Sequence, residues 1–256
     1  VFDVEKKIKN SHPKPPFTTS TLQQEAARKI RSSARKTMRT AQRLYEQGFI
    51  TYMRTDSTSM SGEGINGARN EILSRFGKEY LPEKPNLYAS KVKNAQEAHE
   101  AIRPAGIAFS SVDTVQAAID EDAAKLYDLI RKRTLASQMA SAKVKQIAVT
   151  IKNQKSEFRA NGKVILFPGY MAAYVESTDN RDGATEDQET ILPDMTKDQS
   201  LNYNELTAEE HTTKPPARFT EASLVKELEA QGIGRPSTFA NIIDTIVYRT
   251  YVTRDR

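Results

Sequence analysis

Polar and apolar positions change their period several times along this chain. Residues 1–10, VFDVEKKIKN, read as a strand entered in mid-course. "HPKPP" at 12–16 is a stiff connector, because proline fixes φ and restricts the residue before it. Ser20 with Gln23 has the pattern of a capping box and opens a predicted helix to about Arg31. A second helix is predicted from about Lys36 to Gln47, with Gly48 ending it. The chain then enters an extended or looped stretch. Ser61 suits an N-cap, and Ile65, Ala68, Ile72, Leu73 and Phe76 recur at helical spacing before a stop at Gly77. Residues 78–111 read mostly as loop. A long helical pattern fills about 112–138, with Ala123, Leu126, Tyr127, Ile130 and Thr134 on one face.

Near residue 143 the period shortens. "KVKQIAVTIK" and "EFRANGKVILF" are β-rich, with Asn161-Gly162 as a tight turn or bend between strands. Residues 179–189 are acidic and polar and read as an exposed loop, and "QSLNYNEL" looks like another strand. "TKPPARFT" at 213–220 is a second proline linker. Two short helices follow, about 221–231 capped by Thr220 and about 236–248 with Pro236 at its first position. The order is strand, helices, strands, helices. It predicts an α+β multidomain chain: an antiparallel β domain (1–12 and 140–212), an all-α domain inserted into it (13–139), and the start of a helical, helix-turn-helix-like domain (213–256).

Composition narrows the function. A chain of 256 residues holds two or three domains. Its lack of cysteine excludes disulfides, cysteine-ligated zinc and thiol chemistry, and three scattered histidines form no metal-ligand pattern. No apolar run approaches the ~20 residues of a membrane span, and the N-terminal stretch is not a signal peptide. A cytoplasmic protein without a membrane partner is expected. The net charge is +5. Residues 1–60 carry twelve Lys and Arg against five Asp and Glu. That footprint suits a phosphate backbone or, more blandly, a solvated basic helix face.

Three stretches carry candidate chemistry. In "FITYMRTDSTSMS" (49–61), Tyr52 and Arg54 would share a face of an extended segment. A phenol with an ordinary pKa of about 10 needs help to act as a nucleophile, and a guanidinium beside an attacked phosphate stabilises the charge that builds there. Thr55, Ser57 and Thr58 are candidate phosphate contacts. The alternative is a packed tyrosine beside a surface Arg54–Asp56 pair. In "QEAHEAIRP" (96–104), His99 and Arg103 would lie on one face of a helical turn as a phosphate-binding pair, or simply be surface residues. In "GIGRPSTFANII" (232–243), the glycines permit close backbone approach. Ser237 and Thr238 would sit in a helix's first turn, where free N–H groups favour phosphate, with Arg235 adding charge.

Taken in order, "LYEQGFITYMRTDSTSMS", "EAHEAIRP" and "RFTEASLVKELEAQGIGRPSTFANII" resemble the motifs of bacterial type IA DNA topoisomerases. "FTTSTLQQEA" (17–26) and "TKPPARF" (213–219) resemble further pieces of the same pattern. The resemblance implies that Tyr52 is the nucleophile, attacking one DNA strand to form a 5′-phosphotyrosyl bond that the freed 3′-hydroxyl later reverses. Negative supercoils would relax without ATP. Arg54 would stabilise the scissile phosphate, and His99, Arg235 and Thr238 would contact the strand. Arg103 and Ser237 join them as DNA-binding candidates. Asp56 is expected to order the loop. The partners implied are single-stranded and negatively supercoiled DNA in the nucleoid.

The chain also departs from the family pattern. No DxDxD motif of a Toprim domain, which would hold Mg²⁺, occurs, and cysteine-rich zinc ribbons are absent. "VYRT" at 247–250 replaces a more usual "QDRG"-like turn, and Phe239 stands where tyrosine is common. These features predict a core fragment with no metal or cofactor site of its own, inactive alone, whose Mg²⁺ and Toprim partner lie in the full-length protein. A second reading is a non-catalytic DNA-binding module using the 220–248 helix pair.

Overall fold

A computed structural model of the chain describes residues 1–88, 99–177, 190–213 and 215–254. The acidic stretch 179–189 and the first three residues of "QEAHEAIRP" lie outside the described residues. The fold is α+β with an antiparallel sheet. The chain divides into two compact units: Val1–His12, Ser141–Gly169 and Asp182–Arg218 form one, and Pro13–Ala140, Tyr170–Arg181 and Phe219–Arg256 form the other.

The first unit is built on a sheet of order β1-β2-β3, with β1 (Asp3–Ser11), β2 (Ala142–Asn153) and β3 (Ser156–Phe167) all antiparallel. Strands distant in sequence are thus neighbours, and Lys7, Gln146 and Lys163 lie in one row. The expected bend at Asn161-Gly162 is absent. The chain reverses instead at Gln154-Lys155, where Gln154 adopts φ 52. Gly162 continues the strand because Leu192 lies across it: a Cβ there would come within 2.9 Å of the Leu192 side chain. "QSLNYNEL" forms no strand either. Tyr203 and Leu206 are exposed, and a segment with no ladder partner has nothing to offset its ordering entropy.

The second unit packs α1 (Thr19–Ile30), α2 (Ala34–Glu46), α3 (Gly62–Phe76), α4 (Val112–Ala118), α5 (Glu121–Gln138), α6 (Glu221–Ala230) and α7 (Phe239–Tyr248). Leu22, Leu44, Ile72, Leu126, Tyr127 and Ile130 are fully buried in it. Each such aliphatic side chain contributes roughly 1.5–3 kcal/mol by leaving water. Helix α1 starts earlier than predicted. Thr18 caps it and Thr21 reciprocates, while Ser20 lies inside the helix and donates to Glu229 (2.7 Å). The long pattern over 112–138 is two helices, because Asp120 turns extended and its carboxylate accepts from the Ala123 N–H (2.8 Å).

Of residues 213–256, predicted as the start of a helical domain, Phe219–Arg256 fall in this compact unit. Val225 of α6 and Phe239 and Ile243 of α7 share a buried cluster with Ala34 of α2. Glu221 accepts from the Ala34 N–H at 2.8 Å, satisfying one of the donors that a helix start leaves without an internal partner. Two ten-residue helices alone could not bury such a face.

Candidate active site

Three separate stretches are stitched together in the helical unit. The Ile102 N–H donates to the Phe17 carbonyl (2.8 Å), Thr51 N–H to Arg103 (2.9 Å), Ala105 N–H to Phe49 (2.9 Å) and Ala101 N–H to Ser59 (2.7 Å). Thr19, at the start of α1, completes the arrangement. Its N–H donates to the Thr55 carbonyl (2.9 Å), and its hydroxyl donates to the Met53 carbonyl (2.7 Å) and accepts from the Thr55 N–H (2.9 Å). Held this way, the 52–57 stretch alternates. Met53, Thr55 and Ser57 are buried, Arg54 and Asp56 are exposed, and Tyr52 is half-buried. The predicted common side for Tyr52 and Arg54 fits this alternation.

Tyr52 sits in an aromatic row. Tyr45, on the last turn of α2, meets it edge to face with centroids 5.3 Å apart, and His99 lies 5.1 Å away on a tilted ring plane. The two stretches that carry Tyr52 and His99 therefore meet through both their backbones and their side chains.

Arg103 departs from expectation. Residues 101–104 are extended, not a helical turn, since Ile102 and Pro104 bridge to Phe17 and Ile50. The Arg103 side chain turns inward and is only 3% exposed. Its Nε and Nη2 fork onto the Glu100 carboxylate (2.8 and 2.9 Å), Nη2 also reaches the Ser61 hydroxyl (3.0 Å), and Nη1 donates to the Pro104 carbonyl (2.7 Å). A guanidinium so engaged is not offered to DNA; it fixes the start of α3 against the His99 segment. Gly64 makes room for it, as a Cβ there would lie 2.3 Å from Arg103 Nε. Burial pushes the Glu100 carboxyl up, but its bonds from Arg103 and Ser61 outweigh this and hold it below its ordinary value.

Thr55 and Ser57, read as candidate phosphate contacts, build the loop instead. The Ser57 N–H donates to Thr55 Oγ1 (3.0 Å), and the Ser57 and Ser59 hydroxyls pair at 2.8 Å. Asp56, expected to order this loop, is exposed, while the loop's hydrogen bonds come from Thr19, Thr55 and Ser57.

A family model described as DNA topoisomerase matches residues 1–256. The chain belongs to the bacterial type IA DNA topoisomerase family. It is 54% identical over 252 residues to the DNA topoisomerase 1 of Synechocystis sp., covering 98% of this chain and 28% of that protein. The DNA topoisomerase 1 of Mycobacterium leprae is 50% identical over 259 residues, covering 99% of this chain and 27% of the relative. Among solved structures, full-length topoisomerase I from Thermotoga maritima superposes with a TM-score of 0.76 at 35% identity, covering 100% of this chain and 41% of that one. The chain thus spans little more than a quarter of the curated relatives' length.

The third motif spans the turn between α6 and α7 and the start of α7. Arg235 and Ser237 are exposed. They precede α7 instead of forming its first turn, because the Thr238 hydroxyl accepts from the Arg235 N–H (2.8 Å) and closes residues 235–238 into a turn of their own. Gly234 has φ +85, and a Cβ would also lie 2.8 Å from the Ile242 side chain. Glu229, on the last turn of α6, is bonded to Ser20, the neighbour of Thr19. That contact ties the end of α6 to the helix start that holds the tyrosine loop.

Among the described residues no group of three or more His, Cys, Asp or Glu is placed to hold a metal ion. The rings that flank Tyr52 are those of Tyr45 and His99, not the oxygen set that Mg²⁺ requires. No helix among the described residues is long and apolar enough to cross a membrane. Sequence reasoning missed two contributors. Thr19 lay in a block matched to the family but given no role. Tyr45 lay seven residues before Tyr52, across a helix end that turns the chain back on itself.

Proposed function

We propose that this chain is the nucleophile-bearing part of a topoisomerase that cleaves and reseals one DNA strand. In this reading the Tyr52 oxygen attacks a backbone phosphorus. A Tyr52–phosphate bond forms as the bond to the preceding nucleotide's 3′ oxygen breaks, and the phenol's proton is balanced on the leaving 3′-hydroxyl. The downstream strand stays attached through its 5′ phosphate. Attack by the 3′-hydroxyl reverses every bond change, so no ATP is consumed. Arg54 stabilises the phosphate's developing charge. His99 contacts the strand beside the tyrosine, and Arg235 and Ser237 guide it nearby, on a turn that Thr238 closes. The helices between β1 and β2 act as an inserted domain that moves away to let the other strand pass, with α6 and α7 as the helix-turn-helix-like base of a DNA-binding region. Mg²⁺ and the Toprim domain are supplied elsewhere in a longer polypeptide.

The observation that carries this reading is the half-buried Tyr52 hemmed by Tyr45 and His99, with exposed Arg54 two residues on. In a polypeptide of the relatives' full length, Tyr52→Phe is expected to abolish covalent DNA adducts while changing stability by less than about 0.5 kcal/mol. Persistent 5′-linked adducts would overturn the assignment. The 256-residue chain alone is expected to bind single-stranded oligonucleotides in a salt-sensitive way and to leave supercoils unrelaxed. Preference for a duplex sequence, independent of Tyr52, would favour the module reading instead.

A further inference from the structure

We infer that Thr19 is a positioning residue for strand cleavage, acting through the backbone of the tyrosine loop. This rests on Tyr52 being the nucleophile. Thr19 is fully buried, and both capacities of its hydroxyl are engaged by the loop: it donates to Met53 and accepts from Thr55. Its N–H belongs to the first turn of α1, where no carbonyl within the helix is available, and it serves the Thr55 carbonyl. One residue therefore fixes the backbone on both sides of Arg54, and sets which side chains of the 52–56 stretch point outward. A nucleophile displaced by about 1 Å loses on the order of 10²-fold in rate. A valine at position 19 keeps the shape and the N–H but loses both hydroxyl bonds. The Met53 carbonyl and the Thr55 N–H then lose their partner, while the Thr55 carbonyl keeps its bond from the residue-19 N–H, and the Tyr52–Arg54 geometry loosens between them. The Tyr45 and His99 rings flank the phenol, and the Thr51–Arg103 bond holds the backbone before Tyr52; the backbone after it, at Met53 and Thr55, is held by Thr19.

The test uses a polypeptide of the relatives' full length carrying this sequence. A 3′-end-labelled single-stranded oligonucleotide reports single-turnover adduct formation on denaturing gels. Thr19→Val is expected to slow adduct formation by about 10- to 100-fold, and Thr19→Ser, which keeps the hydroxyl, to restore it. Thr37→Val is the control, because it removes another fully buried hydroxyl, on α2, that bonds Ser32 and not the loop. It is expected to react at the wild-type rate below its melting temperature. If Thr19→Val does not fold, Thr19→Ala serves in its place. Unchanged adduct formation in Thr19→Val, or an equal loss in Thr37→Val, overturns the proposal while leaving Tyr52 as nucleophile. Adducts persisting in Tyr52→Phe overturn the reading beneath it.

Discussion

At Glu100 and Arg103, one ion pair separates two roles that their sequence positions had merged. "EAHEAIRP" presents a histidine and an arginine that look like partners on one surface. The fold sends His99 to Tyr52 and turns Arg103 inward onto Glu100. Two receiving groups, Glu100 and Pro104, lie within those eight residues, but Ser61 and the gap at Gly64, which let the side chain turn inward, come from another stretch. The pair has a pH consequence. Burial raises the Glu100 carboxyl, but bonds from Arg103 and Ser61 lower it more, so its folded pKa lies below its unfolded value of about 4.3. A depressed carboxylate contributes stability that is present above that unfolded value and lost as pH falls through the folded one. Glu100→Gln is therefore expected to lower the urea midpoint at neutral pH and to flatten the loss of stability below about pH 4.3. Parallel acid profiles for the two proteins would contradict this role.

At the scale of elements, the caps were largely legible and the partners were not. Ser61, Gly77, Thr220 and Gly48 mark helix ends as local chemistry predicts, because a cap uses only neighbouring residues. Two features lie beyond local chemistry. Gly162 runs straight through a strand to admit Leu192, and α6 and α7 join the larger helical unit through Ala34 and Glu221. Both outcomes depend on residues distant in sequence. The α6–α7 attachment gives a graded expectation. Phe239→Ala should cost about 3 kcal/mol by opening a cavity beside Ile243. Thr220→Ala should cost about 1 kcal/mol through the lost cap. Tyr248, on the same helix but 88% exposed, should tolerate alanine within about 0.5 kcal/mol. Denaturant unfolding would rank the three, and equal effects for Phe239 and Tyr248 would show that α7 does not pack as described.

Across the whole molecule, the two units differ in how much they bury. The helical unit holds most of the large, fully buried side chains, whereas Ile8, Phe158 and Leu166 of the sheet are 68%, 43% and 51% exposed. A three-stranded sheet with so many half-open positions gains little from burial. Amide hydrogen exchange on this chain is expected to show β1–β3 opening at least about 100-fold more readily than the buried turns of α1 and α5. Uniform protection across both units would show instead that they unfold as one. The sequence by itself determined most element types, most helix ends, the basic N-terminal quarter and, through separated motifs, the family, because these rest on near neighbours or on residue identity. Only the tertiary structure decided that Arg103 is buried, that Tyr45 and His99 flank Tyr52, and that Thr19 holds the loop. Each of those facts is a contact between stretches whose separation along the chain carries no information about their distance in space.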